Sequence, residues 1–555
     1  MGAVAVVEVD DGVEGPGGGA DGPYPCGATH RASYGLLRRL WWCGVSRGER
    51  IVHFMRGYVV YAVGLWMVCG GCALGQQAER CAGLAGVRLE GAKVASAELV
   101  GAGAELAGIK IPAGAMAKVP AFCRVRVTDT PTGDSDIKTE VWLPVAGWNG
   151  KYRAQGNGGF AGEIDFPGLA AAVTLGYATS GTDTGHATGG AGFALGHPEK
   201  VKDFGWRAVH DMSVETKALV KAFYGKAEEK AYFTSCSDGG REALMEAERF
   251  PGDFDGILAG APAYNWTALV SAAAENDKTL MATPGSYLPA GKLPAITAAV
   301  LACKGAETDA CLTEPQVATL KELYAAKKDP AGKDVFPGYT PGAESAPGSW
   351  DVWMVGKKAG DPTLMMYFGL GFFKDFVFGR EDWSLGTFDF GRDSKVALEK
   401  TGEALNATDT NLKPFVARGG KLLMYHGWND PAIPALSSVA YYDGVVKALG
   451  KSEAEKAVRL YMVPGMLHCS GGPGVVDFGQ DRTEARGDAE HDVFTALEQW
   501  VETGKGPGTL TAVKFVGEDA SKGVAKTRPV CVYPGWAKYV GGDVTKAGSF
   551  ACVGK

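Results

Sequence analysis

The sequence predicts an α/β fold in which an open parallel sheet is covered by helices and interrupted by a long insertion. Four short segments are predicted to be strands: 139–144, 230–235, 421–426 and 459–463. The last two are apolar runs that end in polar residues, as buried parallel strands do. Residues 203–224 and 490–503 carry apolar side chains at helical spacing, and the first of these segments stops at Gly225. An alternation of strands and helices is typical of a parallel sheet with helices on its faces.

Residues 272–408 have a different pattern, rich in Pro and Gly, which does not continue the alternation. They also carry a concentration of aromatic side chains, among them Trp350, Trp353, Trp383 and Phe372. We therefore predict that residues 76–271 and 409–555 form the main domain. Residues 272–408 are predicted to be an inserted second domain or lid.

Residues 55–75 have the layout of a secretory signal peptide: a methionine and an arginine, a short apolar stretch, then small residues. The apolar core of roughly a dozen residues is too short for a transmembrane helix, which needs ~20. No membrane span is therefore expected in the mature protein, which is predicted to be secreted or periplasmic; a buried helix is the alternative. Residues 1–54, upstream of this signal, are interpreted as a non-native or disordered extension.

Charge and cysteine content narrow the classes of function. The formal net charge is -7, without a basic stripe interleaved with aromatic residues, so no nucleic-acid partner is expected. Eight of the twelve cysteines follow the predicted signal: Cys81, Cys123, Cys236, Cys303, Cys311, Cys469, Cys531 and Cys552. An even set after an export signal indicates four disulfides in an oxidising compartment. Nothing in the sequence indicates an oligomeric state.

The strongest local motif is TSCSDGGREALMEAERFPGDFDG at 234–256. A strand is expected to end at Ser235, a sharp turn to present Ser237, and a helix to begin near Gly239. This is the layout of a nucleophile elbow, in which small residues after the serine prevent clashes. Because Ser235 replaces the first glycine of the usual pattern, an ordinary turn is the alternative when the motif is taken alone.

Two downstream segments favour the catalytic interpretation. YHGWNDP at 425–431 places Asp430 just after one apolar strand, and VPGMLHCS at 463–470 places His468 after another. The order Ser, Asp, His is that of α/β-hydrolases. In such a triad the histidine takes the serine proton, and the carboxylate orients the imidazole and stabilises its charged form. Individually, Asp430 could be a surface turn residue and His468 a loop histidine.

Cysteines adjoin two of these residues, because Cys236 precedes Ser237 and Cys469 follows His468. A disulfide between them would hold their Cα atoms within roughly 4.4–6.8 Å and would join the two loops. The adjacent Cys-Ser, the later Asp and the His-Cys pair resemble the tannase/feruloyl esterase family, which includes mono(hydroxyethyl) terephthalate hydrolases. The resemblance covers most of 80–555 and includes segments 148–162, 176–186, 254–266 and 528–543.

The resemblance implies an α/β-hydrolase fold with an inserted lid, and a secreted serine esterase acting on small-molecule aromatic esters such as feruloyl or galloyl esters. Carried over by position, Ser237, Asp430 and His468 form the triad. The backbone N–H groups of Asp238 and of Gly158 or Gly159 form the oxyanion hole. Without the family, 156–162 would be an ordinary glycine-rich turn. Asp183, His186 and His426 are interpreted as structural or supporting residues.

The family pattern also includes an acidic calcium-binding loop in the lid, and here this sequence departs from it. The corresponding stretch 299–315 keeps only Glu307 and Asp309 as central carboxylates, whereas calcium prefers six to eight oxygen ligands. We therefore expect no metal or other cofactor. A Cys303–Cys311 disulfide is expected to close the shortened loop.

Substrate choice is not specified by these motifs. The lid aromatics Trp350, Trp353 and Phe372 are candidates for binding the ring of the acid, although such residues more often form a lid core. The alternatives are a broad carboxylesterase, a terephthalate monoester hydrolase of the same fold, or a phenolic- or glycan-binding protein without catalysis.

Overall fold

A nine-stranded sheet is the centre of the computed structural model, which describes residues 75–187, 189–298, 311–480 and 487–554. Its strand order is β1-β2-β3-β5-β4-β6-β7-β10-β11. The strands are β1 Ala92–Val100, β2 Phe122–Asp129, β3 Ile137–Pro144, β4 Lys151–Gln155, β5 Ala178–Thr182, β6 Lys230–Cys236, β7 Gly256–Gly260, β10 Lys421–Gly427 and β11 Val458–Val463. All four strands that the sequence predicted are therefore present.

The strand directions differ from the prediction at one edge of the sheet. Strands β5, β4, β6, β7, β10 and β11 are parallel, but β1, β2 and β3 pair antiparallel and β3 is antiparallel to β5. The segment TEVWLP at 139–144 was assigned to a parallel sheet because strands and helices alternate along this part of the chain. Most of β3 is buried, but burial of a strand on both faces does not indicate its direction.

Helices lie between the strands and after them. Residues 75–83 are helical, and we number this helix α1. The others are α2 Ala113–Met116, α3 Phe166–Thr174, α4 Pro198–Lys202, α5 Ala208–Tyr224, α6 Asp238–Arg249, α7 Trp266–Leu280, α8 Leu293–Thr297, α9 Glu314–Tyr324, α10 Trp350–Trp353, α11 Leu364–Gly371, α12 Phe390–Leu405, α13 Lys413–Ala417, α14 Leu436–Leu449, α15 Lys451–Ala457 and α16 Val493–Thr503.

Two of these helices correspond to the helices predicted from the sequence. Helix α5 ends at Tyr224, and Gly225 follows with a φ of 74°, the left-handed conformation in which glycine commonly terminates a helix. The preceding residues Asp203–Arg207, which the prediction included, form a π-helical turn. Helix α16 begins at Val493, three residues after the predicted start, because the side chain of Asp492 caps its first turn.

Both faces of the parallel region are covered by apolar cores. Ile257 and Met424 pack into a core that includes α5, α6 and α14, whereas their neighbours Leu258 and Leu423 pack into a second core with Trp500 of α16. Neighbouring residues of a strand point to opposite faces of its sheet. The sheet is therefore the middle of three layers, as expected for an α/β protein.

The segment between β7 and β10 contributes no strand to the central sheet within its described residues 261–298 and 311–420. It holds α7 to α13 and a two-stranded sheet of β8 Lys327–Lys328 and β9 Asp334–Phe336. The predicted insertion boundary at 272 falls inside α7, so this helix belongs partly to each predicted domain. Two further small sheets near the C-terminus consist of β12 Leu510–Phe515 with β13 Val524–Val530, and β14 Trp536–Tyr539 with β15 Phe550–Val553.

Three disulfides link described cysteines: Cys81–Cys123, Cys236–Cys469 and Cys531–Cys552. The predicted pairing of Cys303 with Cys311 stays a prediction, because Cys303 lies outside the described residues. The predicted extension 1–54 and nearly all of the predicted signal 55–75 lie outside them too. Among the helices of the described residues, none is both long and apolar enough to cross a membrane.

Candidate active site

The nucleophile motif folds as a sharp turn between β6 and α6. Ser237 lies between the last residue of the strand and the first residue of the helix, with φ 68° and ψ -122°. A positive φ is uncommon for a residue with a side chain. Its N–H donates to the carbonyl of Gly260 at 2.9 Å, which fixes the turn to the neighbouring strand.

The two glycines that follow Ser237 are required by close contacts. A Cβ on Gly239 would lie 2.5 Å from the carbonyl oxygen of Asn157, and one on Gly240 would lie 2.8 Å from Cα of Pro262. Real side chains do not tolerate such distances from backbone atoms. The motif therefore specifies a tight turn in which the serine oxygen is presented beyond the carboxyl end of the strand.

The structure brings Ser237, His468 and Asp430 together although they are far apart in sequence. Nε2 of His468 lies 2.8 Å from Oγ of Ser237, and Nδ1 of His468 lies 2.8 Å from Oδ2 of Asp430. Asp430 follows β10 and His468 follows β11, so the carboxyl ends of parallel strands position all three groups. The three side chains thus form a continuous hydrogen-bonded chain.

Asp430 is held as an anion by its surroundings. Its Oδ1 accepts hydrogen bonds from the backbone N–H groups of Ala432 and Ile433 at 2.8 and 3.0 Å. Burial by itself would raise the pKa of this carboxyl. Attraction to His468 and hydrogen bonds from His426 and His468 outweigh burial, and they hold the pKa of Asp430 well below its ordinary value.

His426 is a supporting residue, in agreement with its interpretation from the sequence. It is fully buried, with Nε2 3.1 Å from Oδ2 of Asp430 and Nδ1 2.7 Å from Oγ of Ser438. With Nε2 protonated, this imidazole donates to the carboxylate and accepts from the hydroxyl of Ser438. Asp430 therefore receives donors on both of its oxygens.

The Cys236–Cys469 disulfide joins the two loops that carry Ser237 and His468. The Cα atoms of the two cysteines are 6.0 Å apart, across 233 residues of sequence. Cys469 itself has a φ of 63°. The bond therefore restrains the residue before Ser237 and the residue after His468 directly against each other.

The glycine-rich loop 156–162 lies beside the elbow. Gly159, with a φ of 64°, lines the same cavity as Ser237 and Asp238, whereas Gly158 is not among the lining residues. Asp238 is the first residue of α6, so its N–H has no acceptor within the helix. Asp238 and Gly159, two of the residues predicted to supply oxyanion donors, therefore both line the cavity at which Ser237 lies.

Asn157 links this loop to the elbow, a role that the sequence analysis missed. Its N–H donates to Oε2 of Glu242 at 2.9 Å, and its carbonyl accepts from the N–H of Gly239 at 3.1 Å. Its side-chain amide donates to the carbonyls of Glu163 and Thr182. The only signal in the sequence was the position of Glu242 on the helix that follows the elbow.

The cavity at Ser237 is lined almost entirely by apolar groups. Trp353 is the one predicted ring-binding residue that reaches it, with its ring centroid 5.3 Å from that of His468 in an edge-to-face arrangement. The remaining apolar lining residues are Ala263, Trp266, Leu269, Val270, Ala273, Met365, Phe368, Ala432 and Ile433. The spacing of Trp266, Leu269, Val270 and Ala273 along α7 is helical, and this was the signal by which they could have been found.

Trp350 and Phe372 are not brought to this cavity. Trp350 packs against Tyr324 and Tyr339 inside the inserted segment. Phe372 is fully buried against Phe373 and Phe376. Both residues therefore contribute to the core of the insertion, because large aromatic side chains bury the most apolar area there.

Asp183 and His186 support the loops around the site. Oδ1 of Asp183 accepts from the N–H groups of Lys138 and Gly185, and burial raises the pKa of Asp183 to about 6. The ring of His186 stacks on Phe193 at 3.6 Å, and burial lowers the pKa of His186 to about 4. Residues 299–310 of the stretch that corresponds to the calcium-binding loop lie outside the described residues. The expected lack of calcium there stays a prediction.

The layered fold and the placement of Ser, Asp and His after successive strands are those of the α/β-hydrolases. The protein is a carboxylic ester hydrolase of this class, because the relatives with which it aligns over most of its length are named esterases. The profile described as "Tannase and feruloyl esterase" matches residues 123–305 and 300–553. The chain therefore belongs to the tannase and feruloyl esterase family.

Individual relatives agree with this assignment. The chain is 37% identical to an uncharacterized esterase of Xanthomonas campestris, over 85% of this chain and 91% of the relative. It is 32% identical to probable feruloyl esterase B-1 of Aspergillus fumigatus, over 78% and 86%. The crystal structure of feruloyl esterase B from Aspergillus oryzae superimposes with a TM-score of 0.77 at 28% identity, covering 86% of this chain and all of the other. Tannin acyl hydrolase from Aspergillus niger shares the fold, with a TM-score of 0.67 at 20% identity, covering 86% of this chain and 95% of the other.

Proposed function

We propose that this protein is a secreted serine esterase that hydrolyses esters of aromatic acids through an acyl-enzyme. The observation that carries the proposal is the continuous chain from Ser237 through His468 to Asp430 at the wall of an apolar cavity. A nucleophile within hydrogen-bond reach of a base, which is itself oriented by a third group, is the arrangement required for nucleophilic catalysis.

In the first step, Oγ of Ser237 attacks the ester carbonyl carbon while Nε2 of His468 takes its proton. The carbonyl π electrons move to oxygen, and the N–H groups of Asp238 and Gly159 stabilise the resulting oxyanion. Loss of one such donor typically costs ~3–4 kcal/mol of transition-state stabilisation. The ester C–O bond then breaks, and the alcohol leaves with the proton from His468.

In the second step, water attacks the acyl-enzyme and His468 takes its proton. The new oxyanion forms in the same place, Oγ of Ser237 leaves, and it recovers a proton from His468 as the acid is released. Asp430 keeps its negative charge throughout and stabilises the transient imidazolium. The lowered pKa of Asp430 supports this role, because the carboxylate stays ionised at neutral pH and below it.

The lining of the cavity supports an aromatic acyl group with few polar substituents. Trp353, Phe368 and Trp266 offer ring surfaces, and Leu269 and Val270 offer aliphatic ones. A buried hydroxyl without a hydrogen-bond partner costs roughly 1–3 kcal/mol. We therefore propose that feruloyl esters, with one ring hydroxyl, are better substrates than galloyl esters, which have three. A terephthalate monoester and a simple alkyl ester remain the competing substrates.

Export to an oxidising compartment is part of the proposal. It is supported by the three disulfides among the described residues, since such bonds persist mainly outside the cytosol. The predicted signal at 55–75 supports the same location.

The test is hydrolysis of methyl ferulate, methyl gallate, mono(hydroxyethyl) terephthalate and a short alkyl ester by the purified protein, beside Ser237→Ala. We expect methyl ferulate to be hydrolysed with the highest kcat/KM, and turnover to be lost in the variant. Turnover that persists in Ser237→Ala would contradict the assignment of the nucleophile. A preference for the alkyl ester would contradict the aromatic substrate class while leaving the esterase mechanism intact.

A further inference from the structure

A second cluster of chemically active side chains lies away from Ser237. His210 of α5, Glu246 of α6 and Asp253 of the following turn each offer a ligand atom, and these atoms all lie within 4.8 Å of one another. Asp253 precedes the first residue of β7, whereas Ser237 follows the last residue of the parallel strand β6. The cluster therefore lies near the amino ends of the parallel strands, whereas the candidate active site lies at their carboxyl ends.

Glu246 is the unusual member of this cluster. It is only 1% exposed, and neither of its carboxylate oxygens accepts a hydrogen bond from a donor in the described residues. Burial, and then the neighbouring carboxylate of Asp253, raises the pKa of Glu246 well above its ordinary value. A buried carboxyl group without a donor requires either a retained proton or a bound cation.

The other two members contact each other and are partly exposed to solvent. Nδ1 of His210 lies 2.7 Å from Oδ2 of Asp253, and the imidazole stacks on the ring of Phe250 at 3.8 Å, which fixes its orientation. Lys217, a cation that acts on Glu246, donates to the backbone carbonyl of Asp253 and to no carboxylate of the cluster. The side chains of His210 and Asp253 are 28% and 13% exposed, which gives an ion access from solvent.

The ligand types indicate the class of metal. One imidazole nitrogen and two carboxylates suit Zn²⁺, which binds such atoms at ~2.0–2.2 Å. Calcium and magnesium take oxygen ligands almost exclusively. Two ligand atoms bound tetrahedrally to one ion at these lengths lie about 3.3–3.6 Å apart. Zinc binding therefore widens the 2.7 Å contact and replaces the hydrogen bond between His210 and Asp253.

We propose that His210, Glu246 and Asp253 form a binding site for a divalent transition-metal ion of the zinc type. The three side chains occupy three coordination positions, and water completes the shell on the exposed side. The ion replaces the proton on Glu246 and neutralises the two carboxylates.

The experiment measures zinc binding to the purified full chain. The protein is stripped with a chelator, equilibrated with ZnCl₂ and freed of unbound metal. Zinc per chain is then determined by mass spectrometry, and affinity by calorimetry. We expect one zinc ion per chain in the wild type. Zinc affinity should be at least about tenfold lower in Glu246→Gln, because mutation of residues that only support a ligand already lowers metal affinity by ~10–100-fold.

A matched control separates this site from surface binding. His197 and Asp134 form a similar pair, with Nδ1 2.7 Å from the carboxylate, but without a third ligand among the residues that the structure describes. His197→Ala is therefore expected to bind zinc as the wild type does. His210→Gln provides a second test at a partly exposed position, and circular dichroism verifies that each variant is folded.

Stoichiometric zinc that is lost in both Glu246→Gln and His210→Gln, and kept in His197→Ala, supports the site. Zinc below one-tenth of an equivalent in the wild type, or equal binding in Glu246→Gln, overturns it. In that case Glu246 retains a proton and donates it to Asp253. The measurement does not depend on esterase activity, so its failure leaves the proposed function untouched.

Discussion

The backbone N–H of Asn157 donates to Oε2 of Glu242 over 2.9 Å, and this bond connects the glycine-rich loop to α6, the helix that directly follows Ser237. Glu242 is 1% exposed, and burial, followed by repulsion from Asp238, raises its pKa to about 8. Gly158 and Gly159 directly follow Asn157. The position of the proposed oxyanion donor of Gly159 therefore depends on a buried side chain that is not among the residues lining the cavity.

Removal of this acceptor is expected to lower kcat more than it raises KM. Glu242→Ala leaves the N–H of Asn157 without its side-chain acceptor, so one of the hydrogen bonds that hold the loop beside Ser237 is lost. We expect kcat to fall by about 10- to 100-fold. Complete loss of an oxyanion donor lowers kcat by ~10²–10³-fold, which sets the upper limit for a donor that is only displaced. Steady-state kinetics on methyl ferulate measures the effect.

Glu242→Gln is the matched control, because its carbonyl oxygen can still accept from Asn157. It should retain most of the activity at pH 7, where the native glutamic acid is itself protonated. Equal losses in the Ala and Gln variants would show that the hydrogen bond to Asn157 is not what positions the loop.

The disulfide beside Ser237 and His468 gives a prediction about activity as well as stability. Opening it in Cys236→Ser/Cys469→Ser removes a restraint across 233 residues, for which the chain-entropy model gives roughly 5 kcal/mol. We expect lower stability in urea and, at a temperature where the variant is folded, a kcat reduced by at least about tenfold. The kinetic loss follows because a misplacement of about 1 Å between nucleophile and base is costly.

Cys81→Ser/Cys123→Ser provides the comparison. That disulfide links α1 to β2, at the antiparallel edge of the sheet, so its loss should reduce stability with kcat nearly unchanged. If both double variants lose kcat to the same extent, the Cys236–Cys469 bond has no special role at the site.

Much of this arrangement could be predicted from the sequence, and the reasons for the rest are physical. Ser237, Asp430 and His468 were identifiable because each follows a short apolar strand, and their order along the chain is restrictive. The antiparallel edge was missed because β3 is buried along most of its length, and burial on both faces conceals direction. The sequence could not show which of Trp350 and Trp353 lines the cavity, because both belong to the one-turn helix α10. Only the packing of this helix in the folded protein distinguishes them.

A buried carboxyl group predicts how stability changes with pH. Glu215 is 3% exposed, neither of its oxygens has a hydrogen-bond donor among the described residues, and burial followed by repulsion from Asp129 and Asp211 raises its pKa to about 9. The folded state therefore binds a proton that the unfolded state releases above about pH 4.5. Stability is full below that pH and decreases as pH rises toward 9, by about 1.4 kcal/mol per unit from this group.

Glu215→Gln should flatten this dependence, because an amide resembles the protonated acid and does not titrate. We expect the variant to gain stability over the wild type progressively from pH 5 to 9, measured by urea unfolding. The exposed Glu229→Gln serves as the control and should follow the wild type. A constant difference between Glu215→Gln and the wild type across this range would show that Glu215 does not hold a proton in the folded state.

The last prediction concerns Trp353, which lies edge-to-face with His468 at 5.3 Å and lines the cavity. If its ring contacts the aromatic acyl group, Trp353→Ala should raise KM for methyl ferulate by about 3- to 10-fold, the equivalent of the ~0.5–1.5 kcal/mol attributed to one aromatic pair. A short alkyl ester lacks the ring and should be affected less.

Trp350→Ala, three residues earlier, is the control, because it removes a buried core side chain and should reduce stability by ~3–5 kcal/mol. Ratios of kcat/KM for the two esters, measured where both variants are folded, separate substrate contact from packing. A ratio that changes equally in the two variants would mean that the insertion acts on the substrate only through its overall stability.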